Sequence, residues 1–332
     1  MKKLINDPFQ VTVEELEGFV AAFPRQVRRV GTQSVVRNEA PAAGKVGVIL
    51  GGGSGHEPLF MGYLGKGLAD GCPVGNIFAS PSPGIILDAT RVVSGGAGVL
   101  YIYGNYSGDV MNFDMAAEMA EEENIRVETV RVTDDIASAP LDQKERRRGI
   151  AGDFFVLKAA GACADENGNL QQVCAAAAKA NENTRSMGVA LSSCTIPASG
   201  RPIFELGADE IEIGLGIHGE PGERRQKLMT ANEITDILVN RILEDRLFQA
   251  GDEVAVLVNG LGATPLAELF IVFRRVAKLL GDASIRIHRS YVGEYSTSLE
   301  MAGCSVTLMR LDDELRRWVD RPAYSPYFTQ VH

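Results

Sequence analysis

The chain holds only four histidines, and two of them stand where a small ligand could reach an imidazole. His56 lies in Gly51-Gly52-Gly53-Ser54-Gly55-His56-Glu57-Pro58, and His218 in Ile217-His218-Gly219-Glu220-Pro221. Flanking glycine strips side-chain cover from both rings. Their matching glycine, glutamate and proline settings separate them from His288, which strand alternation over 285–289 accounts for, and from His332, the last residue. Asp109, in Gly104-Asn105-Tyr106-Ser107-Gly108-Asp109, is a third candidate. Its position suits either a helix N-cap ahead of Val110 or a general base for a substrate hydroxyl.

The loop 51–58 follows an apolar run, so its backbone can turn tightly and offer N–H groups to an oxygen-rich ligand. It is not a recognisable nucleotide loop. No lysine stands at the phosphate-loop position, and counting G-x-G-x-x-G from Gly51 places His56 at the last glycine. A nucleophile elbow, G-x-S-x-G, fails as well, because Gly55 comes one position early. A metal site is not expected: neither histidine has a second histidine or cysteine at ligand spacing, and Glu57 and Glu220 each precede proline in a turn.

These residues need a scaffold, and the hydrophobic pattern supplies one. Short β-branched runs at 45–50, 76–79, 96–103 and 126–132 alternate with helix-like stretches at 84–93 and 110–123. A second series covers 187–193, 210–215, 253–258, 285–291 and 304–311. The pattern predicts an α/β protein of two α/β domains, 1–183 and 184–332. The first is expected to be an open, mostly parallel sheet with helices on both faces, and the second a mixed α/β sandwich. Residues 164–180 are expected to bridge them, with the boundary near Asn183. Thr230 with Glu233 forms a capping box ahead of the apolar face Ile234, Ile237, Leu238 and Ile242, and Thr264 before Pro265 opens a second helix in the same way. Both histidine loops fall where a strand runs into a glycine-rich turn, the edge at which open α/β sheets bind ligands. The charged run 144–149 is expected to be a solvated loop, with a secondary possibility of steering an anionic donor or partner. Segments 294–299 and 259–265 read as turns.

Composition narrows the partners. The 332 residues include 33 basic and 43 acidic side chains, a net charge of -10 that opposes nucleic acid and anionic membrane surfaces. Five scattered cysteines, none in a C-x-x-C pair, fit reduced thiols in the cytoplasm better than disulfides or a zinc knuckle. The start Met1-Lys2-Lys3-Leu4-Ile5 has the basic end of a signal peptide, but Asn6-Asp7-Pro8 interrupts it, and no apolar run is long enough to span a bilayer.

Together these motifs resemble the K subunit, or K domain, of dihydroxyacetone kinases. The resemblance spans nearly the whole chain and rests on segments 51–58, 105–109, 147–152, 194–197, 214–222, 259–269 and 293–303. It implies a cytoplasmic homodimer that binds a small hydroxyketone and holds no cofactor itself. A separate L-type subunit would carry ATP or ADP with magnesium. By the same resemblance His218 would bond covalently to the ketone carbon as a hemiaminal. His56 would polarise or protonate the carbonyl oxygen, Asp109 would accept the hydroxyl proton, and Gly53, Ser54 and Gly55 would line the pocket. Such capture rejects glycerol, which has no carbonyl for an imidazole to attack. One departure matters: Gly104 stands where many members have lysine, and Ser107 replaces threonine. A roomier pocket would admit a four-carbon ketose such as erythrulose. The rival reading is a kinase-like ketone sensor that co-regulates transcription.

Overall fold

The computed structural model describes residues 2–331, so His332 lies outside the described residues. The first sheet runs, in spatial order, Val27–Val30, Ser34–Arg37, Gly71–Gly75, Gly47–Leu50, Val99–Gly104 and Val127–Val132, with the short strand Gly52–Gly53 also paired to Gly71–Gly75. The hairpin 27–37 joins antiparallel, and every other pairing is parallel. The second sheet runs Arg224–Lys227, Glu210–Ile213, Thr184–Ala190, Gly303–Leu311, Glu253–Gly260 and Arg286–Glu294. It is mixed, with only Glu253–Gly260 and Arg286–Glu294 parallel.

Alternation within the strands sorts side chains into layers. Val48, Leu50, Leu100 and Ile102 join the large core, whereas Ile49, Val99, Tyr101 and Tyr103 face the opposite way toward Ile86, Ala89, Phe113 and Ala116. In the second sheet Val254, Val256 and Val258 face the helices Ala231–Glu244 and Leu266–Asp282, and Ala255 and Leu257 face the large core. That core is therefore shared by both sheets. The helices Asp153–Asp165 and Leu170–Glu182 fill it, and twelve of the thirteen residues in Asp153–Asp165 are buried. Small side chains let this helix approach closely: a Cβ on Gly161 would lie 2.6 Å from the backbone at Gly67.

The Thr230 capping box forms as read, with Glu233 N–H donating to the Thr230 hydroxyl and Thr230 N–H to the Glu233 carboxylate. Two other readings need correction. Thr264 does not cap its helix: Pro265 is the N-cap residue, and the Thr264 hydroxyl exchanges two 2.7 Å hydrogen bonds with the backbone of Gly303. The strand expected at 76–79 is a turn, and the strand lies just before it at Gly71–Gly75. Pro73 is tolerated there because the ladder to Gly47–Leu50 needs a single pair, Ile49 with Gly71. Among the described residues no helix is long and apolar enough to cross a membrane.

Candidate active site

The strand Gly47–Leu50 delivers the loop 51–58 to the carboxyl edge of the first sheet. Glycine is required at 53, where a Cβ would sit 2.6 Å from the Ala79 backbone, and at 55, which has φ +100° and lies against the Phe78 ring. The Ser54 hydroxyl donates to Glu15 at 2.6 Å. Burial, reinforced by neighbouring Glu57, pushes the Glu15 carboxyl up to about 9.

His56 is fully buried, and its Nδ1 lies 2.7 Å from the carbonyl oxygen of Thr297. A carbonyl can only accept, so Nδ1 carries the proton and Nε2 presents a lone pair. That Nε2 is buried without a partner. Burial, and then the charge of nearby His218, lower the ring to about 3, so it stays neutral at physiological pH. In this tautomer His56 accepts a hydrogen bond from a ligand oxygen, and it can give that oxygen a proton only after receiving one.

The segment holding His56 in place was read from sequence as an ordinary turn. Thr297 N–H donates to His56 O at 3.1 Å, Leu299 N–H to Gly55 O at 2.8 Å, and the Thr297 hydroxyl to Glu57 O at 2.8 Å. The turn is pinned by fully buried Asn259, whose Oδ1 accepts from the N–H groups of Tyr295 and Ser296, both at 2.8 Å, and whose Nδ2 donates to Ser296 O at 2.7 Å. Asn259→Leu should therefore lower stability by about 2–4 kcal/mol, since several buried polar groups lose their partner together. Chemical denaturation checks this, and a loss below about 1 kcal/mol would show that the clamp is dispensable.

His218 follows the strand Glu210–Ile213 in a turn closed by Gly219 at φ +86°. The resemblance between the two histidine loops has a local cause. In each, a glutamate accepts the backbone N–H two residues earlier: Glu57 from Gly55, and Glu220 from His218 at 3.1 Å. In the second loop the residue two earlier is the histidine itself, so the other Glu220 oxygen meets His218 Nδ1 at 3.0 Å. Burial alone would raise Glu220, but the hydrogen bond and charge of His218, with Arg148 beyond, outweigh it and hold the carboxyl at about 2. The ionised carboxylate accepts a hydrogen bond from His218 Nδ1 and so orients the ring with Nε2 turned away from it. On the expectation that His218 bonds a ketone carbon, replacing Glu220 with Gln removes a charged acceptor worth about 1.5–3 kcal/mol and should weaken that capture about tenfold to a hundredfold. A time course of adduct formation measures it, and an unchanged rate would remove Glu220 from the mechanism.

Arg148 is held by Asp135 at 2.8 Å and stands 4.0 Å from Glu220. Arg147 is 1% exposed and grips Asp245 through both terminal nitrogens, at 2.9 and 2.6 Å. The expectation of a solvated loop over 144–149 is thus wrong for these two arginines, and holds for Lys144, Glu145 and Arg146. The same loop is tied to the next candidate: Asn105 donates to Arg147 O at 2.8 Å, and the Tyr106 hydroxyl to Gly149 O at 2.9 Å.

Asp109 lies in the first turn of the helix Ser107–Glu122, whose N-cap residue is Tyr106, so the capping alternative is excluded. Its Oδ1 is buried without a partner. Burial raises its carboxyl to about 6, partly offset by the Ser80 hydroxyl and the charge of His218. The His218 ring stands edge-on to three aromatic neighbours, with centroids 4.7 Å from His56, 4.5 Å from Tyr106 and 5.4 Å from Phe78, and Phe78 in turn stacks on His56 at 4.8 Å. The structure thus brings the His56 and His218 rings together and leaves two buried acceptors orphaned, His56 Nε2 and Asp109 Oδ1, with the Asp109 carboxyl within electrostatic reach of His218. Among the described residues no cluster of three or more potential metal ligands exists. Sequence reading passed over Glu220 as an actor and missed Phe78 and Thr297.

Comparison with known proteins shows the family. The Dak1 domain matches residues 17–327. The chain is 49% identical to the PTS-dependent dihydroxyacetone kinase 2, dihydroxyacetone-binding subunit DhaK of Listeria innocua, over 99% of each chain. It is 46% identical to the D-erythrulose kinase of Mycolicibacterium smegmatis, over 100% of this chain and 58% of that protein. Among solved structures, the dihydroxyacetone kinase operon co-activator Dha-DhaQ superposes with a TM-score of 0.90 at 32% identity, over 96% of this chain and 99% of that one.

Proposed function

Because the chain belongs to the Dak1 domain family, we propose that it is the ketone-binding subunit of a kinase for dihydroxyacetone or a close short ketose. The observation that supports this reading is the contact of the His218 ring, backed by Glu220, with the ring of His56, whose Nε2 is buried without a partner, together with an orphaned buried Oδ1 on Asp109. His218 Nε2 attacks the ketone carbon, a C–N bond forms, and the carbonyl π pair moves to oxygen. The net proton shift is from His218 Nδ1 to that oxygen, with Glu220 and His56 as holders on either side. The new hydroxyl then donates to His56 Nε2. Capture fixes a terminal hydroxyl of the substrate, and Asp109 takes its proton as the oxygen attacks phosphorus. An L-type partner supplies the phosphoryl donor, ATP or a recharged ADP with magnesium, and this chain alone transfers nothing. A cytoplasmic homodimer fits the same reading.

The test is reconstitution of the chain with an L-type subunit, nucleotide, magnesium and ketone. A sugar phosphate is the expected product. A stable adduct with no product from any L-type partner would instead favour a sensor, the role suggested by the likeness to the co-activator Dha-DhaQ. Asp109 argues for the enzyme, because capture of a ketone needs no base beside its hydroxyl.

Gly104 bears on substrate length. A Cβ there would stand 3.0 Å from the Tyr106 ring and 3.3 Å from Gly149 O, so a larger residue presses on the ring that walls His218. The four-carbon relative named above makes erythrulose a serious competitor. Gly104→Lys should therefore shift the ratio of kcat/KM toward dihydroxyacetone by about tenfold, the scale of one extra carbon in a shaped pocket. A hundredfold dihydroxyacetone preference in the unaltered chain would end the four-carbon idea.

A further inference from the structure

Lys45 lies just before the strand Gly47–Leu50, at the edge of the first sheet opposite the histidine loop. There a cavity of about 380 Å³ is lined by Arg25, Arg37, Lys45, Lys66 and Asp165. Arg37 is only 7% exposed, and its guanidinium is incompletely used. Its Nε stands 2.7 Å from Asp70 but is not aligned for a hydrogen bond, and no hydrogen bond joins its terminal nitrogens to any described residue. Asp70 is already engaged, since its Oδ2 accepts from Lys45 at 2.7 Å and from the Val48 N–H at 2.8 Å. Lys45 is completed by Asp165 at 3.6 Å. At the rim Arg25 and Lys66 are exposed, and neither forms an ion pair with a described residue. Exposed Glu39 lines the cavity as well. The four cations thus face Asp70, Asp165 and Glu39, a local excess of positive charge in a chain of net charge -10.

We infer that this cavity is a second binding site, specific for a small phosphomonoester seated on the free face of the Arg37 guanidinium and closed by Arg25 and Lys66. A guanidinium fork matches two oxygens of one phosphate, and a phosphomonoester keeps a third oxygen for the rim cations. The arginine is already held in place by burial beside Asp70, so its fork meets a ligand with little rotamer freedom left to lose. The inference stands independently of the ketone reading.

Calorimetric titration of the full chain with inorganic phosphate, at ionic strength held constant with chloride, tests it. One saturable site per chain is expected, weakened at least about tenfold by the exposed pair Arg25→Ala and Lys66→Ala, and lost in Arg37→Met, with ketone capture at His218 unchanged. The rim pair decides the matter if Arg37→Met fails to fold. Absence of saturable phosphate binding, or equal affinity in the rim variant, would overturn the site. Binding of citrate without phosphate would overturn the phosphomonoester assignment.

Discussion

His218→Ala is expected to abolish ketone capture and to lower ketone-dependent phosphoryl transfer, measured with the L-type partner at saturating nucleotide, by at least about a thousandfold. The size follows from what the ring supplies. In the proposed reaction it is the nucleophile, and once bonded it holds the reacting hydroxyl in place, so its loss removes both the covalent step and the entropy advantage. The fold should survive, because the His218 side chain remains 21% exposed and makes one side-chain hydrogen bond, to Glu220. An alanine variant that retained even a tenth of the activity would reduce His218 to an ordinary binding residue.

The second large effect belongs to Asp109. Asp109→Asn should leave the adduct intact and lower kcat by about 10²–10⁴, the range for a general base. The pH profile gives an independent check. Burial raises this carboxyl to about 6, and the base must be ionised to act, so kcat should rise about tenfold per pH unit up to about pH 6 and level off above. Through that window His56, at about 3, stays neutral, and Glu220, at about 2, stays ionised. The limb should vanish in Asp109→Asn. Its persistence there would assign the titration to another group.

Much of this architecture was legible because buried parallel strands read as unbroken apolar runs. Gly47–Leu50 and Glu253–Gly260 are covered on both faces, so periodicity and burial agree. Local signals also held where the chemistry was local, as in the Thr230 capping box. Failures came where a distant residue decided the outcome. Arg147 looks solvated in a run of charges, and it is buried because Asp245, 98 positions away, receives both its terminal nitrogens. The tautomer of His56 depends on Thr297, 241 positions away, and no local pattern announces that carbonyl. The strand expected at 76–79 was misplaced because the true one, Gly71–Gly75, holds two glycines and Pro73 and so lacks an apolar β-branched run, and the neighbouring ladder hardly needs the donor that Pro73 lacks. Glu220 was within reach of sequence reading, because a glutamate two residues after a histidine in a glycine turn can meet both its backbone and its ring.

Peptide mapping by mass spectrometry after incubation with dihydroxyacetone or erythrulose, without reductant, tests the central claim most directly. A hemiaminal retains the whole ketone, so the peptide containing His218 should gain one intact ketone mass, without loss of water, and His218→Ala should not. Loss of water, which marks an imine on an amine, or an adduct on any other peptide, would contradict the account.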